Sequence, residues 1–271
     1  MLNPKSHGFS DRAIAIDRCQ LILLRMLSLH YANRIVLKGG MAMRALFGSL
    51  RLTKDLDFDR DPSVSNDSLG NTLPKTMVAA ALESGLLNAK ATISKRTRTT
   101  VRASLHATQP GSGQDIYFDV EISGRGLPPP RHIRSVNVSP PGDYFLAPFG
   151  VSAFDADAMA AAKVAALHSD QRSVPRDVFD LQDLIAQGAN PVELLANADR
   201  EWLRGLQSKA IEKTALISWN RANEELFPYL PMTVAQSINQ SQWDEICLKV
   251  ALKVDDWVEQ ALQMCSDKDT Q

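Results

Sequence analysis

The sequence predicts an α+β protein, with a mixed or antiparallel sheet flanked by helices and a helical lobe at the C-terminal end. Short runs in which every second residue is apolar recur between residues 35 and 138, the two-residue period of half-buried strands. Apolar residues spaced three and four apart mark helices before and between those runs. Beyond Pro148 the helical spacing takes over, so residues 1–148 are expected to form the core and residues 149–271 a helical domain.

The first element is a helix over 11–30. Ser10 can cap it, and Ile14, Cys19, Leu21, Ile22, Leu24, Leu27 and Leu29 form a broad apolar face suited to covering the sheet. An apolar strand, Ile35-Val36-Leu37, then enters a turn at Gly39-Gly40. A helix from Met41 places Ala42, Ala45 and Leu46 inward, and Arg44 meets solvent or turns toward a site. Residues 61–73, rich in Gly, Ser and Asn, suggest a loop, followed by a short helix over 74–86. Ile93, Val101, Ala103 and Leu105 mark a strand pair. A further strand alternates Ile116, Phe118, Val120 and Ile122 with Asp115, Tyr117, Asp119 and Glu121. A Gly-, Pro- and Arg-rich connector has strand character at 133–138. Helices follow over 156–168, from Pro175, and over 191–207, 210–225, 234–239 and 243–263, with Trp202, Trp219, Trp243 and Trp257 as packing residues.

The chemistry concentrates in residues 35–59. Strand geometry puts Asp55, Asp57 and Asp59 on one face and Leu56 and Phe58 on the other. Like charges so close repel one another, so this face calls for a cation or full solvation. Ligands that are all oxygen suit Mg2+ or Mn2+. Gly39 and Gly40 permit close backbone approach, and a helix starting at Met41 aims free N–H groups at an anion. An ordinary turn before a polar edge strand is the plainer reading of the same residues.

Two further stretches carry charge in unusual settings. Lys90, Lys95, Arg96, Arg98 and Arg102 occur with no acid between Glu83 and Asp115, a local basic run able to contact an RNA backbone. Lys163 interrupts the Ala-rich run from Met159 to Leu167, where it either snorkels or points at a site. Downstream, Arg176, Asp177 and Asp180 open a helix, with the two carboxylates on one face. A capped surface helix is the plainer alternative.

Taken together, Gly39-Gly40, the helix with Arg44, then Arg51, Thr53 and Asp55-Leu56-Asp57, and later the Lys163 helix followed by Arg176-Asp177 and Asp180-Leu181, resemble the AbiEii/AbiGii family of nucleotidyltransferase-like toxins. That family lies within the polymerase-beta-type nucleotidyltransferase superfamily, and the resemblance spans about residues 10–190. It implies a polymerase-beta-type nucleotidyltransferase fold, with metal-dependent transfer of NMP from an NTP to an RNA acceptor such as a tRNA 3′ end. It also implies a toxic outcome opposed by a cognate antitoxin. Asp55, Asp57 and a third carboxylate on a neighbouring strand, Asp119 with Glu121 as the fallback, would hold Mg2+ or Mn2+. Gly39, Gly40, Met41, Arg44, Arg51 and Lys163 would contact the nucleotide. Lys163 and Asp177 would contribute to catalysis from the helical domain, and Asp180 would order the helix start or orient Arg176. The superfamily commonly has Gly-Ser in its first motif. Here Met41 follows Gly40, so binding at that position would rest on backbone groups. Transfer to a protein hydroxyl, other phosphotransfer, or a non-catalytic RNA- or partner-binding module remain as alternatives.

Composition bounds the rest. A formal charge of -1 over 271 residues excludes a globally basic nucleic-acid binder, though not a local patch. Cys19, Cys247 and Cys265 have no metal spacing and no disulfide framework, and the first two fit apolar helix faces. The first ten residues lack the apolar core of a signal peptide, and no run reaches membrane-spanning length. A cytoplasmic protein is expected.

Overall fold

The computed structural model describes residues 1–168 and 174–268. The chain divides into two units, Met1–Phe154 and Asp155–Gln271.

In the first unit, α1 (Asp11–Tyr31) starts at Ser10, whose hydroxyl accepts a hydrogen bond from the Ala13 amide at 3.2 Å. There follow β1 (Ile35–Lys38), α2 (Gly39–Leu46), β2 (Leu56–Arg60), α3 (Asn66–Glu83), β3 (Leu87–Arg96), β4 (Thr100–Thr108), β5 (Asp115–Ser123), β6 (Ile133–Val138) and β7 (Phe149–Phe154). The strands form one seven-stranded sheet in the order β3-β4-β5-β2-β1-β7-β6. It is mixed: β1 runs parallel to β7 and β2 parallel to β5, while the remaining neighbours are antiparallel.

The alternation expected from the sequence sorts the two sheet faces. Val101, Ala103, Leu105 and Ala107 of β4 and Ile116, Phe118, Val120 and Ile122 of β5 are buried on the side where α1 and α3 pack. Burying these side chains supplies the main drive for assembling the unit, at about 25 cal/mol per Å² of apolar surface. Arg102, Ser104, His106 and Thr108 with Asp115, Tyr117, Asp119 and Glu121 take the other, more exposed face.

Two elements differ from expectation. The segment anticipated as a loop over 61–73 becomes helical at Asn66. Ser65 caps it by accepting the Ser68 amide at 3.1 Å, and Pro74 sits inside α3. A mid-helix proline removes a hydrogen bond. Here Leu69, Leu73, Met77, Ala80 and Ala81 form one buried stripe across it, and that packing outweighs the loss. Secondly, β7 occupies residues expected to open the helical part. It inserts between β1 and β6, pairing Leu37 with Ala153 and Val136 with Val151. Val151, Ser152, Ala153 and Phe154 are all buried, so both faces are covered and no polar alternation marks the strand.

The second unit is helical: α4 (Ala156–His168), α5 (Pro175–Ala186), α6 (Val192–Leu195), α7 (Arg200–Ala215), α8 (Trp219–Glu225), α9 (Met232–Ser237) and α10 (Gln240–Lys268). The long α10 packs along α5, α6 and α7. Trp243 and Trp257 are fully buried, and the Trp243 indole N–H donates to the Ile217 carbonyl at 2.8 Å. Among the described residues, no helix is long and apolar enough to cross a membrane.

Candidate functional site

β2 and β5 run side by side and parallel, with Leu56 opposite Val120, Asp57 opposite Glu121 and Phe58 opposite Ile122. Paired residues on adjacent strands point to the same face, about 4.8 Å apart. Asp57 and Glu121 therefore share the open face. The same register carried back by two residues sets Asp119 level with Asp55, which immediately precedes β2. The structure thus brings Asp55, Asp57 and Asp119 to neighbouring positions. Asp59 is engaged elsewhere: Lys38, on β1, places Nζ 2.6 Å from its Oδ1.

Arg102 of β4 reaches into the acidic face. Its Nη2 and Nε donate to Glu121 Oε2 at 2.5 and 3.0 Å. The Glu121 hydrogen bond, then the negative charges of Glu121, Asp119 and Asp55, hold the guanidinium above its ordinary pKa against a smaller opposing push from burial. Three carboxylates, Glu121, Asp119 and Asp55, thus act on the Arg102 guanidinium, an arrangement that concentrates oxygen ligands.

The glycine pair is explained by what stands against it. Gly39 opens α2 with φ +67, and a Cβ built there would run into the Asp57 carboxylate. A Cβ at Gly40 would collide with Thr53 Oγ1 and come within 3.0 Å of both Nη atoms of Arg51. The first turn of α2, with its unbonded amides, therefore lies between Asp57 on one side and Thr53 with Arg51 on the other. Arg51 is buried, with Nη1 donating to the Leu52 carbonyl at 3.2 Å. Thr53 donates its hydroxyl to the Asp55 carbonyl at 2.9 Å. Sequence reasoning assigned Thr53 no contact of its own, yet it supplies near Gly40 the hydroxyl that Met41 lacks. Met41 itself turns its side chain into the core.

Arg44 is corrected. It was expected at solvent or at a nucleotide, but it is buried and its Nε and Nη2 donate to Asp17 at 2.8 and 2.7 Å. The Tyr144 hydroxyl donates to the same carboxylate at 2.7 Å, and Arg44 Nη2 also reaches the Leu2 carbonyl at 3.2 Å. Nε and Nη2 thus tie Arg44 into a buried network with Asp17 and Tyr144. Within the basic run, pairing differs from residue to residue. Lys95 and Arg98 are exposed, but Arg96 pairs with Asp67 of α3 and Arg102 with Glu121, acids that lie outside the run. Lys95, Arg96, Arg98 and Arg102 all keep part of their surface in solvent, two of them within ion pairs.

In the second unit, Lys163 of α4 lies between two carboxylates of α5, with Nζ 2.7 Å from Asp177 Oδ1 and 2.5 Å from Asp180 Oδ2. All three side chains are buried. Asp180, expected to order the helix start or Arg176, is instead the second holder of the ammonium. Arg176 lies over the Tyr229 ring, 5.7 Å from its centre.

Residues 21–263 match the family described as "Nucleotidyl transferase AbiEii toxin, Type IV TA system". No curated protein matches the sequence. Among solved structures, JHP933 from Helicobacter pylori is similar in fold at 16% identity, with a TM-score of 0.54 and 97% of each chain covered. MenT4, a nucleotidyltransferase toxin from Mycobacterium tuberculosis H37Rv, is similar at 17% identity and a TM-score of 0.54, over 94% of this chain and 93% of that one. At such identities the likeness is one of fold.

Proposed function

The chain belongs to the AbiEii family of nucleotidyl transferase toxins, and from that premise we propose that it transfers NMP from an NTP to an RNA hydroxyl, such as a tRNA 3′ end, with a divalent metal. A cognate antitoxin opposes it in this reading. The observation that supports the proposal is the β2–β5 register, which sets Asp55, Asp57 and Asp119 on one face of the sheet near a glycine helix start that tolerates no side chain. Clustered carboxylates with no sulfur or imidazole among them fit a hard cation, so Asp55, Asp57 and Asp119 are the residues to hold Mg2+ or Mn2+. Such an ion, when bound, polarises phosphate oxygens and makes a nearby hydroxyl more acidic.

The protein's own groups do the remaining work. Backbone amides at Gly39, Gly40 and Met41 receive phosphate oxygens, and Arg51 adds positive charge behind Gly40. The acceptor oxygen attacks the α-phosphorus, the bond from that phosphorus to the bridging oxygen breaks, and pyrophosphate leaves. Asp119 takes the hydroxyl proton. The roles implied for Lys163 and Asp177 stay in this reading as chemistry: an ammonium oriented by carboxylates can neutralise charge that grows on phosphates.

The test is incubation of the purified protein with total tRNA, Mg2+ and each α-labelled NTP in turn, alongside Asp57→Asn. Label on RNA that disappears in the variant supports the proposal. Label on protein instead would favour transfer to a protein hydroxyl, and RNA binding without any label would favour a non-catalytic module.

A further inference from the structure

The open sheet face extends past the carboxylates. Along β5 it carries Glu121, Asp119, Tyr117 and Asp115 in steps of two residues, and along β4 it carries Arg102, Ser104, His106 and Thr108. His106 and Tyr117 are register partners. Their rings are stacked, with centroids 4.4 Å apart and planes 24° from parallel. His106 Nε2 lies 3.1 Å from Asp115 Oδ1, which fixes the imidazole edge. Tyr117 nevertheless keeps 53% of its surface exposed. The next strand outward places exposed Lys90 opposite His106. A rigid aromatic pair left in solvent on a sheet, with a lysine alongside, is suited to stacking a nucleobase and contacting the adjoining phosphate.

Strand order decides which substrate this pair serves. Across the sheet the sequence is β4, β5, β2, β1, and α2 follows β1. The glycine turn lies on the β1 side of the carboxylates, and the aromatic pair lies on the β4 side. Displacement at phosphorus places the attacking and leaving oxygens in line on opposite sides. With the triphosphate at the glycine turn, the aromatic pair falls on the attacking side.

We propose that Tyr117, braced by His106, stacks the unpaired terminal base of a single-stranded RNA 3′ end and so positions that nucleotide's hydroxyl beside Asp119. Two residues along a strand span about 7 Å, comparable to the reach from a stacked base to the 3′ hydroxyl of the same nucleotide. Lys90 meets the phosphate on the 5′ side. The assignment rests on the transfer reading above for the meaning of Asp119, while the stacking itself does not depend on turnover.

The experiment uses a short single-stranded RNA ending in 2-aminopurine, whose fluorescence is quenched when its base stacks. Titration with the full-length protein is expected to quench it equally in wild type and in Asp57→Asn. In Tyr117→Ala the affinity should fall about ten- to a hundredfold, and Tyr117→Trp should restore it. In turnover assays Tyr117→Ala should raise KM for the RNA by a similar factor and leave KM for the NTP unchanged. Unaltered melting of these exposed-site variants controls for folding. Equal quenching by wild type and Tyr117→Ala overturns the assignment even where labelling of RNA succeeds. Quenching lost in Tyr117→Ala, with no label transferred by wild type, sustains it and removes the transfer reading instead.

Discussion

The Asp57 carboxylate fills the space that a Cβ on Gly39 would take, leaving no room for a methyl group between strand and helix. Gly39→Ala should therefore act twice. The backbone at φ +67 costs an L-residue about 1–2 kcal/mol, and the new methyl displaces Asp57. A misplacement of about 1 Å at a reacting centre can cost about a hundredfold in rate, and that fall in RNA labelling is expected. Gly48 separates the two effects, because it has φ +66 but nothing within 4 Å of a Cβ. Gly48→Ala should show the same loss of stability with transfer intact. Equal activities of the two variants would show that the Gly39–Asp57 contact has no part in the reaction.

The buried Arg44–Asp17 pair predicts a stability effect with no effect on nucleotide binding. Arg44→Met leaves Asp17 buried without its cation, which should cost about 3–5 kcal/mol in urea unfolding. KM for the NTP should stay at its wild-type value at temperatures where the variant is folded. A raised KM would return Arg44 to the nucleotide site.

The same network predicts a pH dependence. Burial first, then the negative charge of Asp17, pushes the Tyr144 hydroxyl well above the usual phenol range. In the unfolded chain this tyrosine ionises near about 10. The folded state therefore holds a proton that the unfolded state releases, and the contribution is present below pH about 10 and lost above it. Tyr144→Phe should lower stability near neutral pH by about 1.5–3 kcal/mol, the range for a hydrogen bond to a charged group. It should also flatten the alkaline fall in stability. An unchanged slope would place that fall on other groups.

The parts legible in the sequence were those with short-range spacing. Asp55 and Asp57 stand two apart on a strand, and Asp119 alternates with Phe118 and Val120, so period alone put each on a polar face. Neither Arg44 nor Arg102 could be placed that way. Arg44 meets an acid 27 residues earlier and Arg102 one 19 residues later, and such pairings exist only after the sheet has assembled. β7 escapes because burial on both faces erases the polar half of the strand period, and the start of α3 because local Gly, Ser and Asn signal a loop while the buried stripe that holds the helix forms only on folding. Asp180 was visible as a helix-face neighbour of Asp177, but nothing in spacing told that both turn toward Lys163.

Cysteine chemistry tests the packing of the long helices. Burial pushes the Cys19 and Cys247 thiols up to about 12, leaving little thiolate at pH 8. Iodoacetamide at that pH should modify partly exposed Cys265 first, with Cys19 and Cys247 protected until denaturant is added. Peptide mass spectrometry over a time course reads the order directly. Rapid native-state modification of Cys19 would contradict the burial of α1.

Lys163 poses the sharpest separation of structure from chemistry. Lys163→Met takes the ammonium away from buried Asp177 and Asp180, so a loss of about 3–5 kcal/mol is expected. Inactivity of that variant is consequently ambiguous. Asp177→Asn is the cleaner probe, because Asp180 still holds the ammonium and the lost charged hydrogen bond costs only about 1.5–3 kcal/mol. The variant should remain folded at 25 °C by circular dichroism. If orientation of Lys163 matters to transfer, its rate of RNA labelling should drop about a hundredfold, the scale seen when one preorganised charge-stabilising group is removed. Full activity in a measurably destabilised Asp177→Asn protein would assign the three residues to holding α4 against α5 and nothing more.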